Sequence, residues 1–589
     1  MSENPEKHHQ IEIYPHTHQK RISSRRPLAV WLVVLLLGAV YLALSHAVAL
    51  SWRDNGRSSA SSPPQAVCVQ PAALFPSDAD GKLEEAYGHI SSDAFRSKTI
   101  ERLSGAVQIK TETFDDLGEV GEDRRWDVFF GFYDYLEKTF PAVHQTLRVE
   151  KINTHGLLYT WQGRDSNGLD AAYRKPTVLM AHQDTVPVPD DTIDAWTYPP
   201  WSGAYDGTFI WGRGASDCKN QLIAILEATE LLLQHGFQPK RTLLLSFGFD
   251  EESFGYHGAG NLSAVIHDRY GDDGLAVVID EGAGFENVWG TLFAKPGTAE
   301  KGSTNVEVTV RSPGGHSSVP RDHTSIGILS ELITQIEATQ YPARLDERNP
   351  YFAQLQCGAT HAAAFPPKLR KLLARHRPSN ASPDHPGHPD PLAIEAAKQG
   401  PEIKYLLQTS QAVDIVAGGV KVNAMPERAK AVINHRVNIG ETTQVVYDRL
   451  TRIAGGVARK HNLTLHAFDG QDEADSILLV APHSSESSPI SPADGSGVSP
   501  FSVLAGSVRA IYGEETIVTP GIMTGNTDTR FFWDLTKHIF RFAPGYDPED
   551  QVGGLRGIHT INEKVNVNNH INAVKFFFLF VRNIDEAEV

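Results

Sequence analysis

Cysteine is nearly missing from this chain: Cys68, Cys218 and Cys357 are the only three in 589 residues. A count that low, and odd, excludes a disulfide framework as the main source of stability. One disulfide with one free thiol remains open, and the spacing does not choose the pair. No CxxC pattern occurs, so a thiolate zinc finger is excluded and any metal has to be held by His, Asp and Glu. Basic stripes are also absent. The 54 Lys and Arg stand against 71 Asp and Glu, a formal net charge of −17, which argues against a nucleic-acid partner. Disorder is excluded for the bulk of the chain, since 41% of residues are hydrophobic and 21% charged, a globular composition. The length exceeds what one core supports, so two or more domains are expected.

Long apolar runs are scarce too, and the one that exists is informative. Leu28 to Leu50 carries no formal charge over 23 residues, enough to cross a bilayer as a helix. Lys20, Arg21, Arg25 and Arg26 precede it and no such cluster follows. The positive-inside rule therefore predicts a signal-anchor, with residues 1–27 a disordered cytosolic tail and the body in a lumenal or extracellular space. A cleaved signal peptide is the competing reading, because Ala47-Val48-Ala49 offers small residues for a cleavage site. Residues 51–75, opening on a stretch rich in Ser, Pro, Gly and Arg, are expected to be a linker. Sequons at Asn261, Asn380 and Asn462 suit a glycosylated body on the far side of the membrane. A single span excludes a transporter.

The body alternates between two patterns. PTVLMAHQDTVPVP, RTLLLSFGFDEES and LAVVIDEG are apolar strands ending in polar groups, and Asp217 to Gln234 has helical apolar spacing. Continuous apolar strands alternating with helices predict an α/β domain built on a mixed, mostly parallel sheet covered on both faces. Ligands bind such sheets beyond the carboxyl ends of the strands. His182, Asp184, Glu251, Glu252 and Asp280 all fall there. From about Gly302, TNVEVTVRSP and KAVINHRVNI read as half-buried strands, and SIGILSELITQIEATQ and TTQVVYDRLTRIAGGVARKH as amphipathic helices. The expected organisation is a catalytic domain over 76–301 and 496–589, with a smaller α+β lid domain over 302–495 inserted into it. Pro366 to Pro401, rich in Pro and His, reads as a solvated surface excursion.

Singly, none of the acidic or histidine residues is specific. A Glu-Glu pair is usually a solvated face, and an Asp before a helix is usually an N-cap. Their order is another matter. VLMAHQDTVPV, WGRGASDCKN, SFGFDEES, VIDEG and GIHTINE, joined by GGHSSVP, KVNAMPE and MTGNTDTRFFW, resemble the signature blocks of the M20 metallopeptidases from residue 176 to 563. AWTYPPWSG, NTDTRFFW and the N-terminal anchor are similar to the carboxypeptidase S branch, which itself resembles secreted N-acyl-amino-acid hydrolase/synthases. The resemblance implies a zinc-dependent exopeptidase fold with two Zn²⁺ per chain, bridged by Asp217. His182 and Asp280 would hold one ion, and Glu252 and His559 the other. Asp184 would orient His182 and Glu251 would be the general base. His316 would reach the oxyanion, sometimes from a partner subunit. Asn423, Arg436 and Arg530 would bind a terminal carboxylate. The resemblance also implies a strained or cis peptide after the bridging aspartate, a homodimer built through the inserted unit, and a vacuole-like compartment. Cys218 reads as a packing residue.

Three functions follow as expectations. The first is a metallo-carboxypeptidase acting on short peptides. The second keeps the chemistry with an N-acyl amino acid as substrate. The third, a non-catalytic binding protein on the same fold, is opposed by the complete set of ligands and base.

Overall fold

The computed structural model describes residues 68–78, 81–165, 173–376, 389–547 and 557–589. The expected tail, the run Leu28–Leu50, the linker through residue 67 and Asn380 lie outside them. Among the described residues no helix is long and apolar enough to cross a membrane.

An eight-stranded sheet is built from strands β1 (Arg148–Ile152), β2 (Gly156–Trp161), β3 (Thr177–His182), β4 (Leu243–Gly248), β5 (Val277–Ala283), β6 (Gly297–Glu300) and two that arrive late in the chain. A second, five-stranded sheet takes β7 (Gly302–Arg311), β8 (Ser410–Gly418), β9 (Arg428–Val437), β10 (Thr464–Ala467) and β11 (Ser476–Ser485). The chain then returns to the first sheet with β12 (Gly521–Met523) and β13 (Ile539–Phe542). The large sheet has the order β1-β2-β4-β3-β5-β13-β6-β12. Its four central strands are parallel and its β1 and β2 antiparallel, so the mixed, mostly parallel α/β fold is present.

The central strands read as unbroken apolar runs because both faces are buried. Leu179, Leu245, Val277 and Ile279 join a core under helices α1 (Lys219–Gln234) and α5 (Val567–Glu586). Their neighbours Val178, Leu244 and Val278 pack on the opposite face with Leu262 and Ile266. Two-residue periodicity with an apolar partner on each side leaves no polar position within the strand, only at its end. The second sheet has the order β8-β9-β7-β11-β10. Its one apolar face packs under α2 (Ser325–Glu337) and α3 (Gln444–Lys460), with Val306, Val308, Val310, Leu332 and Leu450 in the core. Here the alternation is clean along β9, whose residues are buried every second position.

Three expectations change. The stretch Pro366–Pro401 is not a bare loop: helices occupy Pro367–Leu373, Pro391–Ala397 and Pro401–Lys404, and residues 377–388 lie outside the description. Leu369, Leu392, Ala393 and Ala396 bury with Phe293, Ala299 and Ile522, so this helical excursion packs beside the large sheet rather than within the lid core. The lid's far boundary also falls early. Ser488 and Ser491 already donate to Glu300 O and Thr298 O along β6, so the chain is back at the large sheet well before 496. Finally, the linker stops at least by residue 68. Gln70 exchanges hydrogen bonds with the backbone of Val518, and Cys68 is disulfide-bonded to Cys357 in the excursion. Cys218 is the free, buried thiol.

Candidate active site

His182 ends β3, Glu251 and Glu252 follow β4, and Glu281 lies at the end of β5, so the parallel sheet delivers all of them to one edge. Asp217 stands just before α1, joined to Cys218 by a cis peptide bond. His559 comes from the loop ahead of the last helix.

Asp217 joins two groups. Its Oδ1 lies 3.1 Å from His182 Nε2, and its Oδ2 lies 3.0 Å from His559 Nε2. Glu281 Oε1 is 3.3 Å from the same His182 nitrogen, and Glu252 Oε2 is 3.1 Å from the same His559 nitrogen. Glu251 offers a carboxylate oxygen to the space shared by His182 and Glu252. The carboxylate that lies against His182 is therefore Glu281, and the expected Asp280 is not brought to it. Successive strand residues face opposite ways, and β5 turns Glu281 to the histidine. Asp280 stays buried, its Oδ2 without a hydrogen-bond partner.

A second layer fixes these groups. Asp184 Oδ1 is 3.2 Å from His182 Nδ1, and the two Asp184 oxygens accept from the backbone N–H of Glu251 and Glu252. The hydroxyl of Thr113 also donates to it at 2.8 Å. One buried carboxylate thus sets the imidazole and the base together. Glu563 does the same for the bridge: it accepts from the N–H of Ser216 and Asp217 and takes Arg213 Nη1 at 2.5 Å. Neither Glu563 nor Glu281 was expected as a site residue. Both were visible only as the acidic neighbours of stronger signals, in GIHTINE and VIDEG.

The electrostatics show an excess of negative charge. Burial pushes the Glu251 carboxyl well above its usual range, reinforced by Glu281. Burial lifts Glu281 to about 8 and Asp280 to about 7. Burial also opposes ionisation of Asp217, yet its hydrogen bonds to His182 and His559 hold it well below the carboxylate range. Hydrogen bonds to Asp217 and Glu252 lift His559 to about 10. Converging carboxylates that burial drives toward neutrality, interleaved with imidazole nitrogens at ligand spacing, fit divalent cations. Cys218 Sγ lies near His182 as well, but burial keeps that thiol protonated, which leaves it a packing role.

A cavity of about 460 Å³ opens on this edge. Glu251, Glu252 and His559 form its floor, and Arg436, Arg530, Asn526 and Asn305 are among its polar walls. Phe254, Tyr256, Phe531 and Trp533 add an aromatic wall. Of the expected recognition residues, Arg436 and Arg530 are in place. His316 and Asn423 are not: both are exposed at a short two-stranded ladder pairing Gly315–His316 with Ala424–Met425, and neither lines the cavity. Asn261 is exposed in the first turn of a helix, its amide donating to Tyr256 O and His257 O, and Asn462 sits exposed in a turn.

Residues 178–583 match the description "Peptidase family M20/M25/M40". The chain belongs to that family. It is a metallopeptidase, and its relatives agree along most of its length. It is 40% identical to carboxypeptidase S of Saccharomyces cerevisiae over 84% of this chain and 86% of that one. It is 33% identical to the mouse N-fatty-acyl-amino acid synthase/hydrolase PM20D1 over 82% of this chain and 87% of that one. Among solved structures, human carnosine dipeptidase 1 shares the fold with a TM-score of 0.56 at 13% identity, covering 87% of this chain and all of that one.

Proposed function

We propose that this protein is a two-zinc carboxypeptidase that hydrolyses the amide bond next to the free C-terminal carboxylate of short peptides. The observation that carries the reading is Asp217, whose two oxygens face two different histidine–carboxylate pairs. In this reading His182 and Glu281 would hold one ion, Glu252 and His559 the other, and Asp217 both. When bound, the ions would balance the buried carboxylates, acidify the attacking water and polarise the scissile carbonyl.

The chain's own groups do the rest. Glu251 takes the proton from the attacking water and returns it to the leaving nitrogen. Its burial beside Glu281 favours proton uptake, which suits a group that must carry one. Asp184 keeps the His182 ring in its ligating orientation. Arg436 and Arg530 offer guanidinium forks to the substrate carboxylate, and the aromatic wall excludes water from the other side of the cavity. His316 would complete the oxyanion side once its exposed segment is brought over the cavity. The uncharged run Leu28–Leu50 would anchor the body in a lumenal or extracellular space, as a type II protein.

An N-acyl amino acid is the second reading. It keeps every residue role, and Phe254, Tyr256, Phe531 and Trp533 favour it as a surface for an acyl chain. Zinc-loaded full-length protein should cleave an N-blocked dipeptide with a free C-terminus, lose that activity to chelator and spare the C-terminal amide. Faster cleavage of a long-chain N-acyl amino acid would move the substrate to the second reading. Cleavage of neither would sink both.

A further inference from the structure

We infer that Glu300 and Arg541, a buried ion pair behind the cavity, are positioning residues that set the carboxylate-recognising wall. The inference rests on the reading of that wall as the seat of the substrate carboxylate.

Both residues are almost fully buried, at 0% and 1% exposure. Arg541 Nη2 donates to Glu300 Oε2 at 3.0 Å, and Arg541 Nε to Thr529 Oγ1 at 2.9 Å. Glu300 uses both oxygens on one loop: Oε1 accepts from Thr527 Oγ1 at 2.7 Å and Oε2 from Thr529 Oγ1 at 3.1 Å. Thr527 and Thr529 alternate along that loop with Asn526, Asp528 and Arg530, and of these five all but Thr529 line the cavity. Asn526 then ties the loop to the lid sheet. Its Oδ1 accepts from Arg436 Nη1 at 3.1 Å, and its Nδ2 donates to Lys301 O at 2.8 Å. Lys301 follows Glu300 directly, and Gly302 opens β7 of the lid sheet. One ion pair thus stands behind both arginines, at the crossing from one sheet to the other.

Stability alone is a poor reason for such a pair, because apolar replacements of buried ion pairs are often neutral or stabilising. Geometry is a better one. A carboxylate and a guanidinium fork fix two hydroxyls at set distances and angles, where an apolar contact would let the loop slide. The pair touches neither the reacting atoms nor any of the groups at ligand spacing, so it acts only through the loop. Asp280 belongs with this cluster. It lies opposite Arg541 in the β5–β13 register, and its orphan Oδ2 sits in the same buried layer as the orphan Arg541 Nη1.

Removing buried Arg541 threatens folding, so Thr529 carries the test. In the full-length, zinc-loaded protein, Thr529→Val should raise KM for the blocked dipeptide about fivefold to tenfold. Its kcat should stay within about twofold and its bound zinc should be unchanged, while its melting temperature should fall by only a few degrees, the effect of leaving Arg541 Nε unpaired. Thr529→Ser, which keeps the hydroxyl, should restore the parent KM. Glu300→Gln, if it retains the parent's zinc content, should raise KM in the same direction. If Thr529→Val leaves KM unchanged, or lowers kcat or zinc content instead, the positioning role is overturned while the carboxypeptidase reading stands. If the parent shows no preference for the free acid over the C-terminal amide, the carboxylate reading falls and the inference falls with it.

Discussion

The two walls of the cavity are built to different standards. On the large-sheet side the reactive groups are held from behind at two points: Asp184 fixes His182 and the Glu251–Glu252 turn, while Glu563 fixes the Asp217 turn. On the lid side the short ladder carrying His316, with Asn423 beside it, is exposed, and the described side-chain hydrogen bonds of His316 run to its own neighbour Ser318. Precision costs buried polar contacts, and the fold spends them where charge has to converge. The difference teaches that the groups at ligand spacing are preassembled in one chain, whereas the proposed recognition residues His316 and Asn423 stand off the cavity and would have to be brought to it.

The sharpest way to break that comparison is to disable the preassembled side without dismantling it. Glu251→Gln keeps the shape and removes the proton carrier. We expect kcat to fall by about 10²–10⁴, with metal content by elemental analysis unchanged. Parent-like turnover would remove Glu251 from the mechanism.

The lid side is tested next. His316→Ala should lower kcat by about 10²–10³ if the His316 segment reaches the oxyanion when lid and sheet, or two copies, come together. Activity equal to the parent would mean that His316 is only a turn residue and that the large-sheet wall is sufficient.

The unequal walls also explain what could be read in the sequence. Central strands β3, β4 and β5, lid strands β7 and β9 and both lid helices were legible because burial on two faces or one writes a clear period, whereas β8, β11 and β13 went unread. Also legible was the strand-end placement of His182, Glu251 and Glu252. The choice between Asp280 and Glu281 was not, since adjacent residues on a strand differ only in which face they take, and VIDEG does not encode that. The helical excursion at 367–404 was hidden by its prolines, which here sit in the first turns of short helices, where a missing N–H costs nothing. Glu563 and Glu300 were invisible because a positioning role depends on tertiary neighbours far off in sequence.

Glu563 offers a milder break of the preassembled side. Glu563→Gln keeps an oxygen for the N–H groups of Ser216 and Asp217 but turns an amide toward Arg213. Metal affinity should drop by about 10–100-fold, read by chelator competition and independent of turnover. Unchanged affinity would show that the Asp217 turn holds itself.

The smallest effect belongs to the lid sheet and concerns protons rather than substrate. His435 is fully buried in β9, edge-on to Tyr341 and near Arg449, with Nδ1 against Ile433 O. Burial depresses its pKa from the usual 6.5 to about 4. The unfolded chain therefore binds a proton that the folded chain refuses between those values. Stability from this group is fully present above about pH 6.5 and is lost as the pH falls toward 4, a total of about 3 kcal/mol at most. His435→Phe keeps a ring beside Tyr341 and removes the titration. Its urea midpoint should fall less steeply than the parent's between pH 6.5 and 4, with the active-site carboxylates contributing equally to both. Identical slopes would mean that the lid sheet opens to admit the proton, and that the second wall is softer in its core as well as at its exposed two-stranded ladder.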